Sequence, residues 1–181
     1  MTSPATTSWI RPIRDSGLWP GTPWVTKVRR TFHEFEGRAH LDAADPSKTS
    51  AEVTVQMGSV DTGHEQRDAH LRTNDFFDVP NYPTMTFRST EVNKLDDTTF
   101  RVTGDLTIKD TTRPVSIDFE FTGSAKDPFG NLRAGFEGRT TINRKDWGVN
   151  WNAALETGGF LVSDKAILEI DVSAIKLTPT P

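Results

Sequence analysis

The chain has 181 residues, no cysteine, a formal net charge of −4 and a pI near 5.6. That length suits one domain with its own core, and the missing cysteine removes disulfides, thiolate metal sites and cysteine nucleophiles. A mildly acidic chain lacks the basic face of a nucleic-acid binder, and no apolar run reaches the length of a membrane span.

The opening MTSPATTSW has neither a basic start nor an apolar h-region. No cleavable secretory signal is expected, and a cytoplasmic location is the default. Residues 7–24, TSWIRPIRDSGLWPGTPW, do not alternate, so residues 1–24 read as an atypical N-terminal segment. From Lys27 onward period-two alternation dominates. SAEVTVQM sets Ala51, Val53, Val55 and Met57 on one face, against Glu52, Thr54 and Gln56. TTFRVTGDLTIKD aligns Phe100, Val102, Leu106 and Ile108, with Gly104 where a strand can bend. VSIDFEFTG aligns Val115, Ile117, Phe119 and Phe121, and LRAGFEGRTTI continues with Leu132, Ala134, Phe136 and Ile142. AILEIDVSAI places Ala166, Leu168, Ile170 and Val172 together.

Turn signals fall between these runs, at 95–97, 110–112 and 126–131. Short strands, tight turns and one-sided apolar faces predict an all-β antiparallel sheet, closed on itself or packed as a sandwich. NRKDWGVNWNAALETGG breaks the pattern and is expected to hold a short helix around Asn152 to Glu156. TPTP at 178–181 is a tail.

The order of several motifs is informative. VTKVRRTFHEFEG is followed by RDAHL…DFFD, YPTMTFRST and GDLTIKDTTRPV, then DPFGNLRAGFEG, TTINRKDWGV, a Gly-Gly pair and LVSDKAILEIDV. In this order they resemble the YceI-like family of lipid- and polyisoprenoid-binding proteins over residues 25 to 173. The resemblance implies an eight-stranded antiparallel lipocalin-like barrel over 25–177, with one or two short helices and a lumen that takes a long isoprenoid chain. It implies no cofactor and leaves a homodimer open.

The front departs from that pattern, which usually opens with an aromatic strand of the form x-D-x-x-H-S. Tryptophan is TGG and every isoleucine codon begins AT, so the codon straddling Trp9 and Ile10 is GAT, aspartate. The same offset forces alanine across Trp19 and Pro20 and permits histidines nearby. We read residues 1–24 as a frame-error replacement of the first strand, which would leave that strand disrupted and a sheet edge open.

The densest cluster of chemistry is RDAHLRTNDFFD, Arg67 to Asp78. Asp68 and His70 could form an acid/base pair, since a carboxylate can fix a histidine tautomer. However, i and i+2 do not face each other on a helix, and no motif marks a nucleophile beside them. The plainer reading has Asp68 capping a short helix or pairing with an arginine such as Arg67, while Leu71, Phe76 and Phe77 anchor the segment. His64 and His70, and His33 and His40, do not match a helical metal-ligand spacing. Phe76, Phe77, Tyr82, Phe87 and Trp147 can line a lipid cavity or simply pack a core. Arg144, beside Lys145, can meet a phosphate headgroup or remain a solvated charge.

The candidate ligand-binding set is therefore Arg67, Asp68, His70, Phe76, Phe77, Phe87, Arg144 and Trp147, with no catalytic and no metal-binding residue. The expected function is non-catalytic sequestration or transport of a polyisoprenoid, either an isoprenoid quinone or a polyprenyl phosphate. Two other classes stay in view. One is a small hydrolase or isomerase using Asp68 and His70; the other is a stress-related structural protein with a filled core.

Overall fold

The computed structural model describes residues 4–11, 31–42, 45–153 and 162–176. In chain order the described elements are β1 (Pro4–Arg11), β2 (Thr31–Phe32), β3 (Phe35–His40), β4 (Ser50–Gln56), β5 (Val60–Asp61) and α1 (Glu65–Arg72). They continue with β6 (Thr84–Lys94), β7 (Thr99–Ile108), β8 (Thr111–Lys126), β9 (Leu132–Asn143) and β10 (Lys165–Lys176). Eight strands close into a barrel in the order β1-β10-β9-β8-β7-β6-β4-β3, every pairing antiparallel. β2 and β5 form a separate two-stranded ribbon.

β4, β7, β8, β9 and β10 lie where the alternation put them, because a half-buried strand must show its apolar residues to one side. Two expectations need correction. β1 occupies the position between β10 and β3, so no edge is left open there. Its pairing with β10 shifts register between Thr7 and Ile10. The rest of the atypical segment, 12–24, lies outside the described residues. The helix expected from Asn152 is not seen at Asn152 and Ala153, and 154–156 lie outside the described residues. Asn152 instead ties its loop together: its side-chain oxygen accepts from Val162 N at 2.9 Å, and Nδ2 donates to Val162 O at 2.8 Å.

Gly104 on β7 pairs with Ser89 on β6, next to the register shift between Ser89 and Glu91. A Cβ at Gly104 would lie 2.4 Å from the Arg88 carbonyl oxygen and 2.6 Å from the Phe87 ring. The glycine lets the bulged strand bend and Phe87 turn inward. Gly104→Ala is expected to destabilise the fold by about 1–3 kcal/mol, as other overpacked sites do. In a thermal melt that is a fall of roughly 2–4 °C per kcal/mol.

The two ends of the barrel differ. Strand direction puts the β3–β4, β6–β7 and β8–β9 connections at one end, and the long segments 57–83 and 144–164 at the other. Segment 57–83 and the described residues of the other, 144–153 and 162–164, fold back as a lid. Leu71 and Phe76 are at most 1% exposed and Trp147 is 3% exposed, packed with Met57, Val149 and Val162. The Trp147 indole N–H donates to Leu106 O at 3.0 Å, which satisfies its one polar group. Each such side chain contributes roughly 1.5–3 kcal/mol of transfer free energy. This end is the packed core.

Candidate lipid cavity

Most of the residues singled out from the sequence meet at the packed end. α1 starts with Glu65 and Asp68 in its first turn and ends with His70 and Arg72 in its last, which complements the helix dipole. Asp68 is not the cap: His64 holds that position, and Asp68 reaches back over it to Thr62. The Asp68 carboxylate, 7% exposed, accepts from Thr62 N at 3.0 Å and Thr62 Oγ1 at 2.5 Å. Arg67 donates to Thr62 Oγ1 and to Thr62 O, completing a charge-assisted ring around one threonine.

The carboxylate 2.7 Å from His70 Nε2 is that of Asp75, a residue the sequence did not single out. The His70 ring also stands edge-on to Phe76 and Trp151, at 5.2 and 4.8 Å between centroids. Segment 67–78 is thus a clasp. The Phe77 and Val79 amides hydrogen-bond back to Leu71 O and Arg72 O, and the Arg72 guanidinium reaches Gly58 O and Val60 O.

Arg144 is 5% exposed, in the 3₁₀ turn Arg144–Trp147. It donates to the carbonyls of Ser163, Val149 and Trp151 and lies 3.4 Å from Asp164. Lys145 pairs with Asp164 at 3.0 Å. The guanidinium therefore ties 144–151 to Ser163 and Asp164. Phe76, Phe77 and Arg144 border a small void of about 60 Å³.

The other end is hollow. A cavity of about 380 Å³ opens there, lined by Phe35, Phe87, Phe100, Phe119, Phe121 and Phe136, with Val53, Ile170 and Val172 between them. The phenylalanines face inward yet are only half-buried, because they border empty space. Of the eight residues selected from the sequence, Phe87 is the one that lines this cavity. The volume sits in the range of small-molecule sites, roughly 300–1,000 Å³.

Local chemistry explains the hollow. Phe121 pairs with Phe136 across β8 and β9, their ring centroids 5.5 Å apart. Phe119 lies over Gly138, where a Cβ would come within 2.5 Å of the ring. Glycine there lets the ring lie against the wall instead of filling the lumen. Among the charged residues of the lining, Asp42, Lys94 and Asp97 belong to the connections and strand end at the rim, while Glu52 alternates outward from Val53 and meets Arg88 at 3.3 Å on the outer wall. Lys94 and Asp97 are paired at 3.0 Å.

Beside the rim stands the β8–β9 turn. Asp127 Oδ1 accepts from the Phe129 and Asn131 amides, and Oδ2 accepts from Asn131 Nδ2 and Arg133 Nε, all at 2.9–3.0 Å. These bonds, that from the Asn131 side chain first, hold the Asp127 carboxyl down at about 2. A depressed carboxylate stabilises the turn above its ordinary titration range and loses that effect only as pH falls through about 2. The turn is therefore fully built at neutral pH.

Among the described residues, no three His, Asp or Glu side chains converge as metal ligands, and no helix is long and apolar enough to cross a membrane.

Comparison with known proteins fits this architecture. The YceI-like domain model matches residues 19–174. A UPF0312 protein of Ectopseudomonas mendocina is 42% identical over 139 residues, 76% of this chain and 73% of the relative. A UPF0312 protein of Azotobacter vinelandii is 44% identical over 119 residues, 66% of this chain but only 62% of the relative's length. The crystal structure of a Campylobacter jejuni YceI protein superposes with a TM-score of 0.75 at 28% identity, over 91% of this chain and 94% of that one. A polyisoprenoid binding domain from Saccharophagus degradans shares the fold, with a TM-score of 0.65 at 10% identity over 98% of this chain and 100% of that one. An eight-stranded antiparallel barrel, hollow at one end and matched by the family model from residue 19 to 174, makes this chain a member of the YceI-like family.

Proposed function

We propose that the protein is a non-catalytic carrier that holds the hydrocarbon chain of a polyisoprenoid, an isoprenoid quinone or a polyprenyl phosphate, in the hollow end of its barrel. The observation that carries this reading is a cavity of about 380 Å³ whose inner wall is phenylalanine and aliphatic side chain. A small polar substrate would need convergent polar groups to orient it, whereas here the inner wall is apolar and Asp42, Lys94 and Asp97 stand at the rim. The polyisoprenoid binding domain of Saccharophagus degradans, which shares the fold, supports the same ligand class.

The energetics are adequate. A five-carbon isoprene unit contributes on the order of 3–4 kcal/mol when buried, at ~0.8 kcal/mol per CH₂. Association costs about 4–15 kcal/mol, so a few buried units offset it without a charged anchor. The headgroup would then remain outside, near Lys94 at the rim. Catalysis by Asp68 and His70 finds less support, since their contacts knit the packed end together.

The test is mass spectrometry of lipid extracted from the purified protein, together with uptake of a labelled polyprenol by the delipidated chain. A co-purifying isoprenoid and saturable uptake are expected. Protein that carries no lipid and takes up none would end the proposal.

A further inference from the structure

We infer that the open end of the barrel is also a docking surface, which seats on the apolar boundary of a lipid bilayer with the cavity mouth facing the membrane. Among the described residues the large apolar side chains left exposed are Leu41, Leu95, Phe129 and Leu132. All four belong to the β3–β4, β6–β7 and β8–β9 connections or their flanks, and so to the open end. Scattered exposed leucines need no explanation. A set gathered around the mouth of a hydrocarbon-lined cavity does, and Leu41 belongs to both the rim and the cavity lining.

The most prominent of them is deliberately placed. β8 makes its last pairing with β7 at Glu120, then runs on through Lys126. At ~3.3 Å per residue the β8–β9 hairpin projects about 20 Å past that last pairing. At its tip Phe129 is 88% exposed. The turn is held by the four bonds to Asp127, so the ring is presented at little further ordering cost.

The charges at this end select the kind of surface. Lys94 pairs with Asp97, Lys48 with Asp45 and Arg133 with Asp127. With these three cations paired, the open end is not the unpaired polybasic segment that anionic headgroups recruit. The occupant that fits is the hydrocarbon boundary of a zwitterionic bilayer, entered by the apolar side chains. A lipid chain could then pass between membrane and cavity without crossing water. This inference deepens the lipid-carrier reading and rests on it.

The experiment is flotation of the full chain with phosphatidylcholine vesicles at low and high salt, beside uptake of a polyprenol presented from cyclodextrin. The native chain is expected to float at both salt concentrations. The double variant Phe129→Ser, Leu95→Ser, both changes on exposed turns, is expected to lose vesicle partitioning by at least on the order of 10-fold. It should keep its melting temperature and its polyprenol uptake. A native chain that takes up polyprenol but ignores vesicles overturns the docking inference and leaves the carrier reading standing; one that floats but takes up no polyprenol does the reverse. Equal flotation of the double variant, or a solution dimer that the same changes dissolve, also overturns docking, the latter by showing that a second copy covers the rim.

Discussion

Val53→Trp is expected to lower polyprenol affinity by roughly 100-fold or more while leaving the barrel folded. Val53 projects into the cavity from the middle of β4, between Gly37 on β3 and Phe87 on β6. Its neighbour Gly37 puts no side chain beside it, and a Cβ there would only reach ordinary contact with the Val53 methyl at 3.5 Å. An indole placed there takes the volume of about one isoprene unit. The loss of that unit's burial, ~3–4 kcal/mol at ~0.8 kcal/mol per CH₂, is a factor of roughly 100 to 1,000 at 1.4 kcal/mol per tenfold. The same replacement at Leu168, buried in the packed half, should instead cost stability by about 1–3 kcal/mol as an overpacked core does. Fluorescence titration with a polyprenol, beside a thermal melt, separates the two outcomes. A Val53→Trp protein that binds normally would mean the chain lies elsewhere.

Arg144→Met is expected to act in the opposite way, destabilising the fold by on the order of 3–5 kcal/mol while sparing the affinity of the protein that remains folded. Arg144 is buried and gives its donors to the carbonyls of Ser163, Val149 and Trp151. Methionine matches its length but donates nothing, so buried acceptors lose their partners at about 1–3 kcal/mol each. If Arg144 held a lipid phosphate, the variant would instead lose affinity for polyprenyl phosphate relative to the uncharged polyprenol with a nearly normal urea midpoint. Chemical denaturation and a two-ligand titration decide between these.

Much of the barrel was legible because alternation is a direct consequence of sheet geometry. The runs around Val53, Val102, Ile117, Phe136 and Leu168 became β4, β7, β8, β9 and β10. α1 was harder to read: EQRDAHLR has Leu71 as its single large apolar residue and carries no apolar stripe. It is held by tertiary bonds, Asp68 to Thr62 and Arg72 to Gly58 and Val60, that no local pattern announces. The front misled for a related reason, since Pro4–Arg11 takes strand form by pairing with β10 and β3 rather than by alternating.

The residues selected from the sequence gather at the opposite end from the hollow for a physical reason. Charged and aromatic residues crowd into Arg67–Asp78 and Arg144–Trp147, and chemistry of that density invites a functional reading. There it closes the barrel. Phe100, Phe119, Phe121 and Phe136 were recognised as an apolar face, but an inward phenylalanine packs a core or lines a void with the same period. What distinguished the two was present elsewhere in the chain. On β8 the inward residues pass from Val115 and Ile117 to Phe119 and Phe121, and Gly138 faces Phe119. The connection lengths carry the same signal: segments 57–83 and 144–164 are long enough to plug one end, while 95–98 and 127–131 are too short to cover the other.

The measurement that bears most directly on this account is photo-crosslinking with a polyprenol whose terminal unit carries a diazirine, followed by peptide mapping. The chain is expected to label the open-end halves of β8 and β9, around Phe119, Phe121 and Phe136, together with Val53 and Ile170. Labelling concentrated on 67–78 and 144–151, with none on those strands, would contradict it.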